Sequence, residues 1–192
     1  MTRTSTPVIN LANAITLARA LTAPVLVALV LAADGPSVLA AVLFVAAAAS
    51  DALDGHIARA RGEVTRFGTM LDPFVDKLLI GAGLTALAAT SRLGVWVVLV
   101  VLSREVAVTW MRGTGRRDGV VVGARAAGKA KMMLQSITVT VLLAAPDPGV
   151  AWVDGLVWAM VAATLLSGLD YALELRDARS RRLRHPHPVA GS

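Results

Sequence analysis

Six apolar stretches, at residues 11–33, 37–60, 69–91, 94–112, 127–146 and 150–174, take up most of this 192-residue chain. Each is near the ~20 residues that carry a helix across the hydrocarbon of a bilayer. Ala, Val and Leu dominate them, without the polar alternation of a barrel strand, so the backbone N–H and C=O groups must be satisfied inside helices. Breaks fall at Asp34-Gly35-Pro36, from Arg61 to Arg66, at Ser91-Arg92, from Gly113 to Gly123 and from Pro146 to Gly149. Gly, Pro and charge at such points are what helix ends and tight turns require. The expected fold is all-α: an integral membrane bundle of six transmembrane helices.

Composition agrees. Hydrophobic residues make up 56% of the chain and charged residues only 17%, against about 25% in a soluble domain. With no cysteine, disulfides and thiolate metal sites are excluded. No small-residue cleavage site follows the first apolar core, so that stretch is expected to stay as a span. A net charge of +6 could suit a nucleic-acid partner, but the position of the cations argues against one. Arg3, Arg61, Arg66, Arg116, Arg117, Arg125, Arg179, Arg181, Arg182 and Arg184 lie at the termini or after the second and fourth spans, whereas the opposite turns hold only Arg92. The positive-inside rule then puts both termini in the cytoplasm. No internal repeat or domain division is visible. Residues 1–176 read as one membrane domain and 177–192 as a basic tail, expected to be disordered, whose arginines help set topology, the alternative being contact with anionic lipid headgroups. His185 and His187 alternate with prolines and have no further ligands nearby. The Ala-, Val- and Arg-heavy usage suits a high-GC bacterium, which makes the expected location the inner (plasma) membrane.

Against this apolar background, the segment DALDGHIARARGEVTRFGTMLDPFVDK places Asp51, Asp54, Asp72 and Asp76 in or beside two apolar helices. Ionisable groups at membrane depth are expensive and face a cavity, pair with cations or do chemistry. Asp51, Asp54 and Ala58 stand at i, i+3, i+7 on one helical face, with Gly55 and Arg59 beside them, and Asp72 and Asp76 at i, i+4 share a face of the next helix. If the two faces meet, four carboxylates converge, and their repulsion is tolerable only with divalent cations between them. The competing structural reading is a set of ion pairs with Arg59, Arg66 and Lys77. It accounts poorly for four acids at this spacing with a glycine between. Oxygen ligands of this kind suit Mg²⁺ or Mn²⁺, and two such ions can share one set of carboxylates. Asp51, Asp54 and Asp72 are the first choices as ligands, with Asp76 close to the second ion.

Asp51, Asp54, Gly55, Ala58, Arg59, Gly68, Asp72 and Asp76 fill every fixed position of D-x2-D-G-x2-A-R-x8-G-x3-D-x3-D. In this the chain resembles the CDP-alcohol phosphatidyltransferases. The resemblance implies direct transfer of a lipid-linked phosphoryl group to an alcohol with release of CMP, Asp76 taking the proton of the attacking hydroxyl. It implies that the face around Gly55, Ala58 and Gly68 receives the cytidine diphosphate part of the donor. Arg59 would pair with the pyrophosphate, a guanidinium being able to bond phosphate oxygens in a fork, and Thr65 would help hold the nucleotide. Asn13 and Thr16 of the first span resemble a further cytidine contact, although a helix-start cap or an interhelical hydrogen bond explains them equally well. Members of the family commonly pair as homodimers.

The acceptor must be sought outside that motif. The stretches SREVAVTWMR, from Ser103, and GKAKMMLQ, from Gly128, put Arg104, Arg112, Arg125, Lys129 and Lys131 at the cytoplasmic ends of spans four and five. A basic lining concentrates an anionic reactant, though topology setting alone would explain any single one of these residues. Arg104 and Glu105, inside an otherwise apolar span, are harder to explain that way. NxxTLAR, TRFGTMLDPFVDK, SREV followed by MR, GKAK with the later Gln135, and SGLDY extend the resemblance over residues 8–176, to the branch of the family that joins sn-glycerol 3-phosphate to CDP-diacylglycerol. On that resemblance the acceptor phosphate meets the basic cluster while its hydroxyl faces Asp76. Asp170 of SGLDY is expected to pair with Lys131 or Arg104, or to lie near cytoplasmic water. Alternative branches take phosphatidylglycerol, giving cardiolipin, or an inositol phosphate. A divalent-cation transporter, from a different class, would spread its acids through the depth of the spans, whereas here they bunch at one edge. If Asp54 is a metal ligand, Asp54→Ala weakens Mn²⁺ binding in a calorimetric titration; unchanged affinity removes it from the ligand set.

Overall fold

A computed structural model describes residues 11–61, 66–120, 123 and 126–184, without the side chains of residues 11–17, 51–61, 66–73, 126 and 183–184. Every regular element among the described residues is an α-helix: α1 (Leu11–Leu31), α2 (Val38–Arg61), α3 (Arg66–Ala89), α4 (Val95–Arg117), α5 (Ala126–Ala144) and α6 (Ala151–Arg184). The six apolar stretches therefore become six helices, joined by short connections that send neighbours in opposite directions. α3 packs most extensively on α1 and also touches α2, α4 and α5; α5 packs on α6 and α2, and α4 on α6.

The bundle has two unlike ends. At the end holding the α1–α2, α3–α4 and α5–α6 connections, Leu26, Phe44, Leu84, Leu87, Val97, Leu142, Leu143, Val153 and Met160 form a fully buried apolar core. Towards the other end, a smaller apolar cluster joins Val108, Val120, Tyr171 and Leu175. Arg104 and Ser167, which bond each other, lie between these two clusters in the sequences of α4 and α6. The buried stripe of α6 shows the change directly, running from Val153, Val157, Met160 and Val161 through Thr164 and Ser167 to Tyr171 and Leu175.

Helix ends are closed by backbone geometry. Beyond α4, Gly119 adopts φ +65° while Val120 N–H donates to the Gly115 carbonyl (2.8 Å) and Gly119 N–H to that of Arg116 (3.0 Å). This paired pattern satisfies carbonyls that a helix end otherwise leaves without donors. α3 ends the same way on Ser91 (φ 57°), with Arg92 N–H on the Leu87 carbonyl at 2.9 Å. The Arg92 side chain then crosses to α5, donating through Nε and Nη2 to the Leu142 carbonyl (3.2 and 3.1 Å) and through Nη2 to that of Ala145. Arg92, the one cation in the turns at this end, is thus a cap for α5. Ser37 N–H likewise donates to the Leu143 carbonyl at 2.8 Å, tying the α1–α2 connection to the same helix end.

The sequence places the fourth span at 94–112 and the sixth at 150–174, but α4 runs to Arg117 and α6 to Arg184. Residues 177–184, expected to belong to a disordered tail, are helical. Ala178 packs against the smaller apolar cluster, Arg179 Nη2 meets Asp118 Oδ2 at 2.6 Å, and the Arg182 guanidinium lies against Gly119. Residues 185–192 fall outside the described set.

Outward faces are apolar as well: Leu21, Val25, Val42, Leu99, Val106, Leu165, Leu166 and Leu169 are exposed, as are Trp96, Trp110, Trp152 and Trp158. The Trp96 and Trp158 rings lie 5.2 Å apart. Among the described residues α6 is the helix long and apolar enough to cross a membrane, over Ala151–Arg182, while Ala18–Leu31 and Val38–Ser50 are shorter apolar runs. Charged residues lie within the other helices: Arg19 in α1, Asp51 and Asp54 in α2, Asp72, Asp76 and Lys77 in α3, Arg104 and Glu105 in α4, Lys129 and Lys131 in α5.

Replacing Arg92 by Ala removes the donors that cap α5. Hydrogen bonds from a charged group contribute about 2 kcal/mol, and in a chain of this size that lowers a thermal midpoint by roughly 4–8 °C. A melt of the detergent-solubilised variant reads this directly; an unchanged midpoint would remove Arg92 from the contacts that hold α5.

Candidate active site

The aspartate motif occupies the end of the bundle opposite the large core. α2 carries Asp51, Asp54, Gly55, Ala58 and Arg59 in its last turns, and α3 carries Gly68, Asp72 and Asp76 in its first. Residues 62–65, including Thr65, lie between them and outside the described set. A four-residue connection keeps the two helix ends within one short chain reach of each other. The side chains of Asp51, Asp54, Arg59 and Asp72 fall outside the described set, as do those of Asn13 and Thr16 in the first turns of α1. The donor set is entirely carboxylate, a hard oxygen chemistry that fits Mg²⁺ or Mn²⁺ better than a thiophilic metal.

Asp76 is described in full. It is partly exposed, and its Oδ1 lies 3.7 Å from Nη1 of Arg19, a buried guanidinium on α1. The pairing fits the close packing of α1 on α3, since a cation inside an apolar helix interface requires a counter-charge.

The next residue opens a second charged group. Lys77 Nζ donates to Thr109 Oγ1 at 2.6 Å and stands 3.8 Å from Glu105 Oε2. Glu105 Oε1 accepts from Arg104 Nη1 at 2.9 Å and from Lys131 Nζ. Arg104 uses its other arm as well, Nη2 donating to Ser167 Oγ at 2.9 Å. Helices α3, α4, α5 and α6 therefore meet on one carboxylate and its cations. The Arg104 stem crosses α6 at Gly168, where a Cβ would come within 3.2 Å of Arg104 Cγ, so a larger residue there would push the guanidinium away. Below this layer, buried Gln135 donates to Thr164 Oγ1 at 3.3 Å, again linking α5 to α6.

Of the five cations expected to bind an acceptor, the structure gathers two. Arg104 and Lys131 share Glu105. Lys129 is exposed, two residues from Lys131 and so on a different side of α5. Arg112 lies two turns beyond Arg104 on α4, ~12 Å along the axis, and its guanidinium sits 5.4 Å from the centre of the Tyr171 ring. Arg125 is outside the described residues. Asp170 was expected to pair with Lys131 or Arg104, or to lie near cytoplasmic water; the ion pairs of those two cations run to Glu105. A glutamate adjoining Arg104 on α4 lies closer to both heads than an acid on α6.

The roles of several members of the site were not read from the sequence. Lys77 was a candidate counter-ion for the aspartate motif but turns to Glu105 and Thr109 instead. Arg19 and Ser167 were not singled out. Signals existed for both: Arg19 is an arginine within an apolar span and ends NxxTLAR, and Ser167 opens SGLDY.

Comparison with known proteins gives the same picture. The model of the CDP-alcohol phosphatidyltransferase family matches residues 9–168. A Bacillus subtilis protein named CDP-diacylglycerol–glycerol-3-phosphate 3-phosphatidyltransferase is 37% identical over 179 residues, covering 84% of this chain and 93% of the relative. A Mycobacterium tuberculosis protein named probable phosphatidylglycerophosphate synthase is 36% identical over 175 residues, covering 88% and 83%. A Rickettsia bellii protein bearing the same name as the Bacillus one is 33% identical over 169 residues, covering 84% and 93%.

Proposed function

The chain belongs to the CDP-alcohol phosphatidyltransferase family, and we propose that it transfers the phosphatidyl group of CDP-diacylglycerol to sn-glycerol 3-phosphate, giving phosphatidylglycerophosphate and CMP. The observation that carries this reading is a buried basic group, Arg104 and Lys131 with the more open Lys77, beginning one residue after the last aspartate of the motif. Relatives named for a glycerol-3-phosphate acceptor support the same choice.

On this reading the reacting centre lies between two sets of residues. Arg59 bonds the pyrophosphate of the donor, while Asn13, Thr16 and Thr65 hold the nucleotide and Gly55, Ala58 and Gly68 leave room for it. Arg104, Lys131 and Lys77 take the phosphate of the acceptor. Asp51, Asp54, Asp72 and Asp76 would hold Mg²⁺ or Mn²⁺, which neutralises charge on the phosphoryl oxygens when bound. The acceptor hydroxyl attacks the phosphorus that carries the diacylglycerol. A new P–O bond forms, the bond to CMP breaks, and CMP leaves with the electron pair. Asp76 receives the hydroxyl proton. A carboxylate is a weak base, so orientation supplies much of the effect, and the Arg19 guanidinium helps hold Asp76 in place.

We also propose the membrane arrangement that the cations suggest: six spans, both termini and the aspartate motif on the cytoplasmic side, and an outer apolar surface in contact with lipid. Exposed apolar side chains around the bundle and exposed tryptophans, Trp96 and Trp152 among them in the first turns of their helices, support this. A water-soluble acceptor then reaches the site from the cytosol, and the donor from the inner leaflet.

Purified protein given CDP-diacylglycerol and Mg²⁺ or Mn²⁺ is expected to release CMP with sn-glycerol 3-phosphate; release only with phosphatidylglycerol or only with an inositol phosphate overturns the acceptor assignment. Asp76→Asn is expected to keep metal-dependent nucleotide binding while turnover falls by about 100-fold or more. Retention of more than about a tenth of the wild-type rate would remove Asp76 as the base.

A further inference from the structure

We infer that Glu105 is a positioning residue that sets acceptor specificity: it holds Lys77, Arg104 and Lys131 as a preformed socket for a phosphate-monoester dianion. The inference rests on the reading above for the identity of the reaction, but the socket itself follows from charge and burial.

Glu105 supplies one negative charge, and three cations from three helices converge on it. Two positive charges are left over within this group, and the side chains of Lys131 and Arg104 are only 6% and 11% exposed. Excess charge is costly away from water unless a counter-ion neutralises it. A phosphate monoester carries a charge near −2 at neutral pH and offers three acceptor oxygens, which matches both the surplus and the number of donor heads. A neutral hydroxyl acceptor matches neither.

The donor geometry points the same way. Nη1 and Nη2 of Arg104 are engaged by Glu105 and Ser167, whereas its buried Nε has no hydrogen-bond partner among the described residues. A buried donor without an acceptor is disfavoured, and an anion beside the cluster would remove that penalty. Lys77 is the most open member, with its side chain 37% exposed, and its neighbour Asp76 is 25% exposed. The group is therefore open at Lys77. Lys77 follows Asp76 directly in α3, so a phosphate held at this edge lies one residue along the helix from the proposed base.

Glu105 would act through the cations and not through the ligand. Without its carboxylate, three like charges held close together repel one another and lose their common anchor. The anion would then have to order them, which weakens binding. Ser167 and Gly168 fix Arg104 from the α6 side, and among the described residues the carboxylate is a common point for α3, α4 and α5 in this layer.

The test measures binding separately from turnover. Glycerol 3-phosphate and inorganic phosphate are titrated calorimetrically into the detergent-solubilised protein without CDP-diacylglycerol, and thermal midpoints are recorded for each variant. Both ligands should bind the wild type, and Glu105→Gln should weaken them at least tenfold. In turnover the same variant should raise KM for glycerol 3-phosphate at least tenfold, change kcat less than threefold and leave KM for CDP-diacylglycerol unchanged, with partial recovery in Glu105→Asp. Lys77→Gln, at the open edge, should keep the fold and weaken phosphate about fivefold; this second variant decides the matter if Glu105→Gln does not fold. Unchanged or tighter phosphate binding in either variant would show that Glu105 merely competes with the anion, or that no socket exists. Equal changes in both KM values together with a lowered midpoint would leave Glu105 a purely structural role. Phosphate binding that survives without turnover of glycerol 3-phosphate would overturn the proposed reaction and leave the socket standing.

Discussion

A charge placed inside an apolar helix bundle must find its opposite, and much of this protein's architecture follows from where the opposites are. Arg19 meets Asp76 between α1 and α3, and Glu105 meets Lys77, Arg104 and Lys131 between α3, α4 and α5. These contacts are directional, unlike the apolar packing around them. Apolar burial draws the helices together at almost any rotation; the ion pairs specify which faces meet. Breaking such a pair leaves an uncompensated charge, which is why removing one partner is more damaging than replacing both.

The bundle divides its tasks along its length. One end is closed and apolar, with Phe44, Leu84, Leu142 and Met160 fully buried and with Arg92 and Ser37 tying the connections to α5. The other end carries the aspartate motif and most of the cations. Between them the α4–α6 interface changes from valine and methionine to Arg104 and Ser167, then returns to an apolar cluster around Tyr171. A polar layer enclosed by apolar ones suits a reaction that must exclude water from a phosphoryl centre while admitting charged reactants. The extension of α6 past the expected tail boundary belongs to this division: Leu175 and Ala178 continue the packing, and Arg179 reaches Asp118 at the end of α4.

Much was legible in the chain because it is local. Helix count and approximate ends follow from runs of apolar residues punctuated by Gly, Pro and charge. The ends of α4 and α6 were the exceptions, and α4 shows one reason. Gly113 and Gly115 lie inside it, and the stop comes at Gly119, where the backbone turns left-handed. A glycine reads as a stop in sequence, yet in a helix interface it also permits close approach, as at Gly115 against Leu175. The pairing of Arg104 with Lys131 through a common partner was half legible, since both cations stood out in apolar spans. That Glu105 is the acid they share was not legible, because position along a helix says nothing about which way that helix is turned.

The amino-acid sequence alone determined that six helices form and that Asp51, Asp54, Asp72 and Asp76 fall on two consecutive helix ends joined by a short turn. Helical periodicity and chain connectivity suffice for that. Tertiary structure alone decided that Asp76 faces Arg19 of α1, that Lys77 leaves the aspartates for Glu105, and that Arg112 stacks over Tyr171 away from Arg104. The reason is rotational. A helix that is apolar on all sides gives little sign of which face turns inward, and cross-helix partners become visible only once packing has fixed each helix about its own axis.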